Sequence, residues 1–200
     1  MLPRHLGHVS DGYTYMMSLG YDEVAKICLT HSFNNQTTKE YFCKFDVSVE
    51  ELNLIKNTLA KVDMSDYDRL IQLCDSLAGS EGVLDIEERM GDVKQRYGYY
   101  PQEKWDSNIR LKKYFEEKAG KDIYEIVDKT FRLWNSGLSR RKIKLVEENR
   151  NKMPTIIEAE KILEEAEQCN LGSWENHSRV AAHCAEKISE LCEEILKKFL

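Results

Sequence analysis

The sequence predicts an all-α bundle of about ten helices, and three observations predict it. Apolar residues recur at helical spacing along most of the chain, no sustained two-residue alternation survives, and helix-start and helix-stop signals bracket the periodic stretches. Two hundred residues with 42% hydrophobic content suit one compact domain, or one domain with an appended helical arm.

Residues 9–19 and 22–31 form a short helical pair around Gly20, followed by a polar loop over 32–46 that contains Asn34-Asn35-Gln36-Thr37-Thr38. Ser48-Val49-Glu50-Glu51 reads as a capping box that opens a helix to about Lys61, because a serine hydroxyl and a glutamate three residues on can satisfy each other's backbone amides. Ser65 caps the next helix, to about Ala78. Gly79-Ser80-Glu81-Gly82 is a turn, and a helix from about Leu84 ends at Gly98. Pro101 opens a longer helix to Lys118, with Gly120 closing it. Asp122 starts a helix through Trp134, and Ser139 another through about Arg150. Thr155 caps a helix to Gln168, Asn170-Leu171-Gly172-Ser173 breaks it, and a last helix of about 25 residues runs to the C-terminus.

Composition narrows the function. No apolar run approaches the ~20 residues needed to cross a bilayer, so no membrane role is expected. The N-terminal stretch lacks a long apolar segment, so a signal peptide is not expected either. The net charge of −6 argues against general nucleic-acid binding, and the basic run Ser139-Arg140-Arg141-Lys142-Ile143-Lys144 is explained at least as well by a solvated helix face. Residues 153–200 hold ten acidic against five Lys/Arg residues. The six cysteines (28, 43, 74, 169, 184, 192) show no CxxC pairing and read as small buried hydrophobes in a reducing, cytoplasmic compartment.

Metal-capable side chains lie on helix stripes. His177 opens the row Val180, Ala181, Cys184, Ile188, Leu191, Ile195. His31 continues Val24, Ile27 and Cys28, and Asp75 lies between Ile71 and Ala78. A carboxylate turned toward a core is costly unless it is paired or bound to a metal. His5, three residues before His8, reads as an exposed histidine with a substitute ligand as the alternative, and His183 as a surface or boundary residue. Asp11, three residues after His8, is placed to orient a histidine. Trp105, Tyr114, Phe115, Phe131 and Trp134 read as core.

Several strings resemble an HD-domain metal-dependent phosphohydrolase: His8-Val9-Ser10-Asp11-Gly12-Tyr13, Ala25-Lys26-Ile27-Cys28-Leu29-Thr30-His31-Ser32-Phe33, Tyr67-Asp68-Arg69-Leu70-Ile71-Gln72-Leu73-Cys74-Asp75-Ser76-Leu77-Ala78, Ile86-Glu87-Glu88-Arg89, and Trp174-Glu175-Asn176-His177-Ser178-Arg179-Val180-Ala181. The resemblance covers about 160 residues. It implies an HD-like core over 1–150, and over 151–200 a segment like the family's N-terminal part that packs on the same core. It assigns His177 to the family's first-histidine position, His8 and His31 to the pair added in two-metal members, and Asp75 to the final carboxylate. The implied cofactor is a divalent metal (Mn, Fe, Co, Ni, Zn or Mg), and the implied partner a small phosphorylated molecule, a phosphate ester or nucleotide. Arg89 and Lys26 become phosphate contacts.

The chain departs from the family pattern twice. The first-histidine segment follows the segments it should precede, as in a circular permutation or a gene-fusion remnant. No His-Asp dipeptide occurs anywhere, so the doublet that bridges the family's two metals is missing. Two readings therefore stand: a phosphohydrolase with His8, His31, Asp75 and His177 around one ion, or a non-catalytic, rearranged HD-like module that binds a metal, a ligand or a partner chain. In the second, the same polar residues bond among themselves. The resemblance also implies that, with the helix that normally follows the first histidine absent, a groove should remain, filled by residues 193–200 or by a second copy in a domain-swapped homodimer.

Overall fold

Capping chemistry sets most helix boundaries in the computed structural model, which describes residues 4–131, 154–169 and 174–192. Among these, α1 (Gly7–Ser18) and α2 (Asp22–Thr30) meet around Gly20, whose φ of +81° turns the chain. A short 3-10 turn, Thr38–Glu40, interrupts the long loop. Helix α3 (Val49–Leu59) opens on the expected box: Ser48 Oγ accepts from the Glu51 amide at 3.1 Å, and Glu51 accepts from the Ser48 amide at 2.6 Å. Helix α4 (Asp66–Leu77) opens the same way with Ser65 and Asp68. Asp85 caps α5 (Ile86–Tyr97), Pro101 precedes α6 (Gln102–Ala119), and Gly98 and Gly120 close these helices in the left-handed region. Then come α7 (Ile123–Ile126), α8 (Ile156–Cys169) and α9 (Trp174–Leu191). The class is all-α. No helix among the described residues is long and apolar enough to cross a membrane.

The structure corrects the sequence in four places. The helix expected over 122–134 is four residues long, because Asp128 adopts a φ of +52° and its carboxylate accepts from the Thr130 amide at 3.0 Å, which makes a turn. The helix expected from Leu84 starts at Ile86. Before it, Ala78 and Val83 pair as an isolated bridge, and the Leu84 amide donates to the Leu77 carbonyl at 2.8 Å. On α2 the fully buried row is Ala25 and Leu29, while Val24, Ile27, Cys28 and His31 form a half-buried edge. Leu191, expected inward on α9, is 42% exposed. The helix expected over 139–150, with its basic run, and the tail over 193–200 lie outside the described residues.

Two apolar clusters hold the fold. One joins α1, α2 and α3 through Leu6, Val9, Leu29, Phe33, Ile55 and Leu59. The other joins α4, α5, α6, α7 and α9 through residues such as Leu73, Leu77, Met90, Phe115, Val180 and Ile188. Helix α4 touches α2, α5, α6 and α9, so it belongs to both halves. Buried Gln72 on α4 donates to the Thr30 carbonyl of α2 at 3.0 Å, and the fully buried Asp68 carboxylate meets Lys26 Nζ at 3.0 Å. The candidate site sits where the two clusters meet.

Candidate functional site

Helix α1 presents His8, the end of α2 presents His31, α4 presents Asp75, and α9 presents His177. The first turn of α1 is held from outside. Leu6 offers no side-chain cap, and the Asp46 carboxylate of the long loop accepts from the His5 and Gly7 amides at 2.5 and 3.0 Å. Glycine at position 12 lets α1 and α2 cross closely, since a Cβ there would stand 3.1 Å from Cys28 Cβ. That crossing sets the approach of His8 to His31.

The four side chains fall into two pairs. His8 Nε2 and His31 Nε2 are 3.1 Å apart, and His177 Nε2 and Asp75 Oδ1 are 2.9 Å apart. His8, His31 and Asp75 line one cavity of 370 Å³, and His177 reaches it through Asp75. Among the described residues, no three His, Cys, Asp or Glu side chains stand together in a metal-holding group.

Protonation follows from the partners. A carbonyl oxygen only accepts, so the Nδ1 atoms of His8 and His31, bonded to the His5 and Cys28 carbonyls, carry the hydrogens. In the neutral rings both Nε2 atoms are then bare, and two lone pairs face each other. A proton or a cation must stand between them. Burial, followed by the charge of His31, pushes the His8 imidazole down to about 4, so His8 is the ring that stays neutral and can accept a hydrogen bond or bind a cation. The 3.1 Å separation also matches two neighbouring ligands of one ion at ~2.1 Å each. The His8–His31 pair thus fits a divalent metal such as Zn, Mn, Fe, Co or Ni. At the second pair, burial alone would raise the Asp75 carboxyl. The hydrogen bond from His177 and the charges of His177, His31 and Arg89 outweigh burial and leave it well below the usual carboxylate range. The Asp75 side chain is 41% exposed, and that surface belongs to a carboxylate lining the cavity.

The rest of the wall is basic and aromatic. Arg4, Arg89, Arg96 and Lys104 line it beside the one carboxylate, Asp75, with Tyr41, Phe42, Tyr97 and Tyr100 between them. His5, expected to be exposed, lines the cavity and meets Tyr97 edge-on with centroids 6.0 Å apart. Lys26, expected at phosphate, is not on this wall; its ammonium neutralises Asp68. Asp11 does not orient His8 and instead pairs with Arg4 at 2.8 Å. Arg89 is on the wall. His183 is half-buried, stacked on Phe131 at 3.7 Å. The sequence reading missed Lys104, Arg96, Tyr97 and Tyr100. The signal for the last three was the run Arg96-Tyr97-Gly98-Tyr99-Tyr100-Pro101, three tyrosines and an arginine gathered where a helix stops. Comparison with protein-family models, with curated proteins and with solved structures yields no match.

Proposed function

We propose that the chain is an HD-type metal-dependent phosphohydrolase acting on a small phosphate ester or nucleotide. The observation that carries this reading is the His8–His31 pair, each ring fixed by a backbone carbonyl with its bare nitrogen turned to the other, in a cavity with four cationic side chains. An HD-like arrangement is supported by the succession of contacts from α1 to α2, α2 to α4 and α4 to α9, although α9 comes last in the sequence. His8 and His31 would hold the ion. Asp75 and His177 would complete its surroundings by giving up the proton they share. A bound divalent ion supplies a water of lowered pKa and neutralises phosphate charge. The protein's own residues bind the ester's oxygens through the basic wall, hold Asp75 ionised, and keep the histidine rings aligned. The free thiols of Cys28, Cys43, Cys74, Cys184 and Cys192 suit a cytoplasmic setting.

The non-catalytic reading is favoured by the missing His-Asp dipeptide and by the closed Asp75–His177 bond, which leaves those two groups satisfied without an ion. Elemental analysis of protein purified without chelator, together with turnover of p-nitrophenyl phosphate, separates the two. About one equivalent of transition metal and chelator-sensitive turnover are expected. Metal without turnover selects the binding module, and neither metal nor turnover ends the enzyme reading.

A further inference from the structure

One cation of the cavity wall differs from the others. Arg4 commits its guanidinium to Asp11 and Glu51, each at 2.8 Å, and Arg96 commits to Asp92 at 3.0 Å. Arg89 donates to the Ala78 carbonyl at 3.3 Å and has Asp92 at 3.9 Å. Lys104 has no carboxylate at ion-pair distance among the described residues. Its ammonium donates to the Ser32 carbonyl at 2.6 Å, which sets it one residue from His31. An ammonium carries three N–H donors, so two remain in a cavity that Lys104 lines. Tyr100 stands in a similar position. The buried Asn108 amide donates to its hydroxyl at 2.9 Å, filling an acceptor site and leaving the phenolic hydrogen for another group. Asn108 is itself fixed, because Asn34 donates to its oxygen at 2.5 Å.

Resting on the phosphate-ester reading, we infer that Lys104 and Tyr100 form the anchor for the ligand's phosphoryl oxygens, with a phosphate monoester as the ligand class. Both flank the start of α6, an 18-residue helix, so the donors are held before the ligand arrives. A dianionic phosphoryl group matches an ammonium with no carboxylate at ion-pair distance among the described residues beside a phenolic hydrogen.

Titration calorimetry on the full chain with phenyl phosphate and with benzoate tests the assignment. Phenyl phosphate should bind tenfold or more tighter than benzoate. Lys104→Met should weaken phenyl phosphate by about tenfold to a hundredfold, the scale of one charge-assisted bond, and Lys104→Arg should restore part of it. Tyr100→Phe should weaken it severalfold. In the unmodified protein, phenyl phosphate should protect Lys104 from reductive methylation, while Lys113, 76% exposed, labels equally with and without it. Equal affinities for the natural chain and Lys104→Met, or no protection of Lys104, would overturn the anchor and leave the phosphohydrolase reading to its metal and turnover assays. Benzoate binding as tightly as phenyl phosphate would overturn the ligand class. A metal-free, inactive protein with Lys104 still protected would remove the enzyme and keep the anchor.

Discussion

At the scale of single residues, the histidine pair links geometry to protonation. His8 titrates near 4 against about 6.5 for a free imidazole, because burial and His31 oppose its charge. The unfolded chain therefore takes up this proton as the pH falls through 6.5 while the folded chain does not. Stability is lost progressively between about pH 6.5 and pH 4 and levels off below, by at most about 3 kcal/mol from this group. Chemical melts of the natural chain and His8→Gln across this range should converge as the pH falls; parallel curves would rule the pair out as the cause. Asp75 offers a second check. Its partner His177 is 19% exposed, so Asp75→Leu strands a mostly enclosed imidazole and should cost about 1–3 kcal/mol, whereas Asp75→Asn keeps an acceptor and costs less. If an ion also sits there, the Asp75→Leu deficit grows when metal is present and shrinks with chelator. Equal melts with and without chelator would remove the metal from the site.

Elements were legible where a local signal decides them. Ser48 with Glu51 and Ser65 with Asp68 fixed two helix starts, and Gly98 and Gly120 two stops, since each works through atoms within a few residues. The early stop of α7 at Ile126 was not legible, because Asp128 turns the chain by a backbone state that apolar periodicity does not encode. Likewise the sequence placed Lys26 at a phosphate by position in a string, while its function is set by Asp68 arriving from α4. That contact joins elements. Asp68 caps α4, accepts from Ser65 Oγ at 2.5 Å and from Thr30 Oγ1 at 3.4 Å, and pairs with Lys26 on α2. Asp68→Ala should therefore open the capping box and leave Lys26 with Glu23 alone at 3.6 Å, destabilising by about 1–3 kcal/mol. The double variant Asp68→Ala with Lys26→Met should recover part of that loss in urea melts. Additive losses would show that the pair does not couple α2 to α4.

For the whole molecule, the last helix completes the larger of the two clusters, while α4 links that cluster to the other. Val180, Cys184 and Ile188 are fully buried against α4 and α7, and His177 closes on Asp75 from the same helix. The sequence foresaw the inward turn of Val180, Cys184 and Ile188, though not the exposure of Leu191. It also foresaw the meeting of His177 with Asp75 across 102 positions, where resemblance supplied the partner that spacing alone does not. It did not foresee the basic wall. Lys104 and Arg96 sit on helices whose exposed faces carry many charges, and only folding selects the ones that face the cavity. Removing residues 153–200 uncovers Leu73, Cys74 and Leu77 on α4, and each large aliphatic side chain returned to water costs ~1.5–3 kcal/mol. Losing several at once, together with the partners Val180 and Ile188, removes a large part of the about 5–15 kcal/mol that holds a typical domain. The 1–152 fragment should therefore show no cooperative melt and should aggregate, while Ile188→Ala in the full chain should fold with a loss of about 2–5 kcal/mol. A soluble 1–152 fragment with a sharp thermal transition would mean that α9 decorates the core rather than completes it, and the pocket would then have to be assembled without His177.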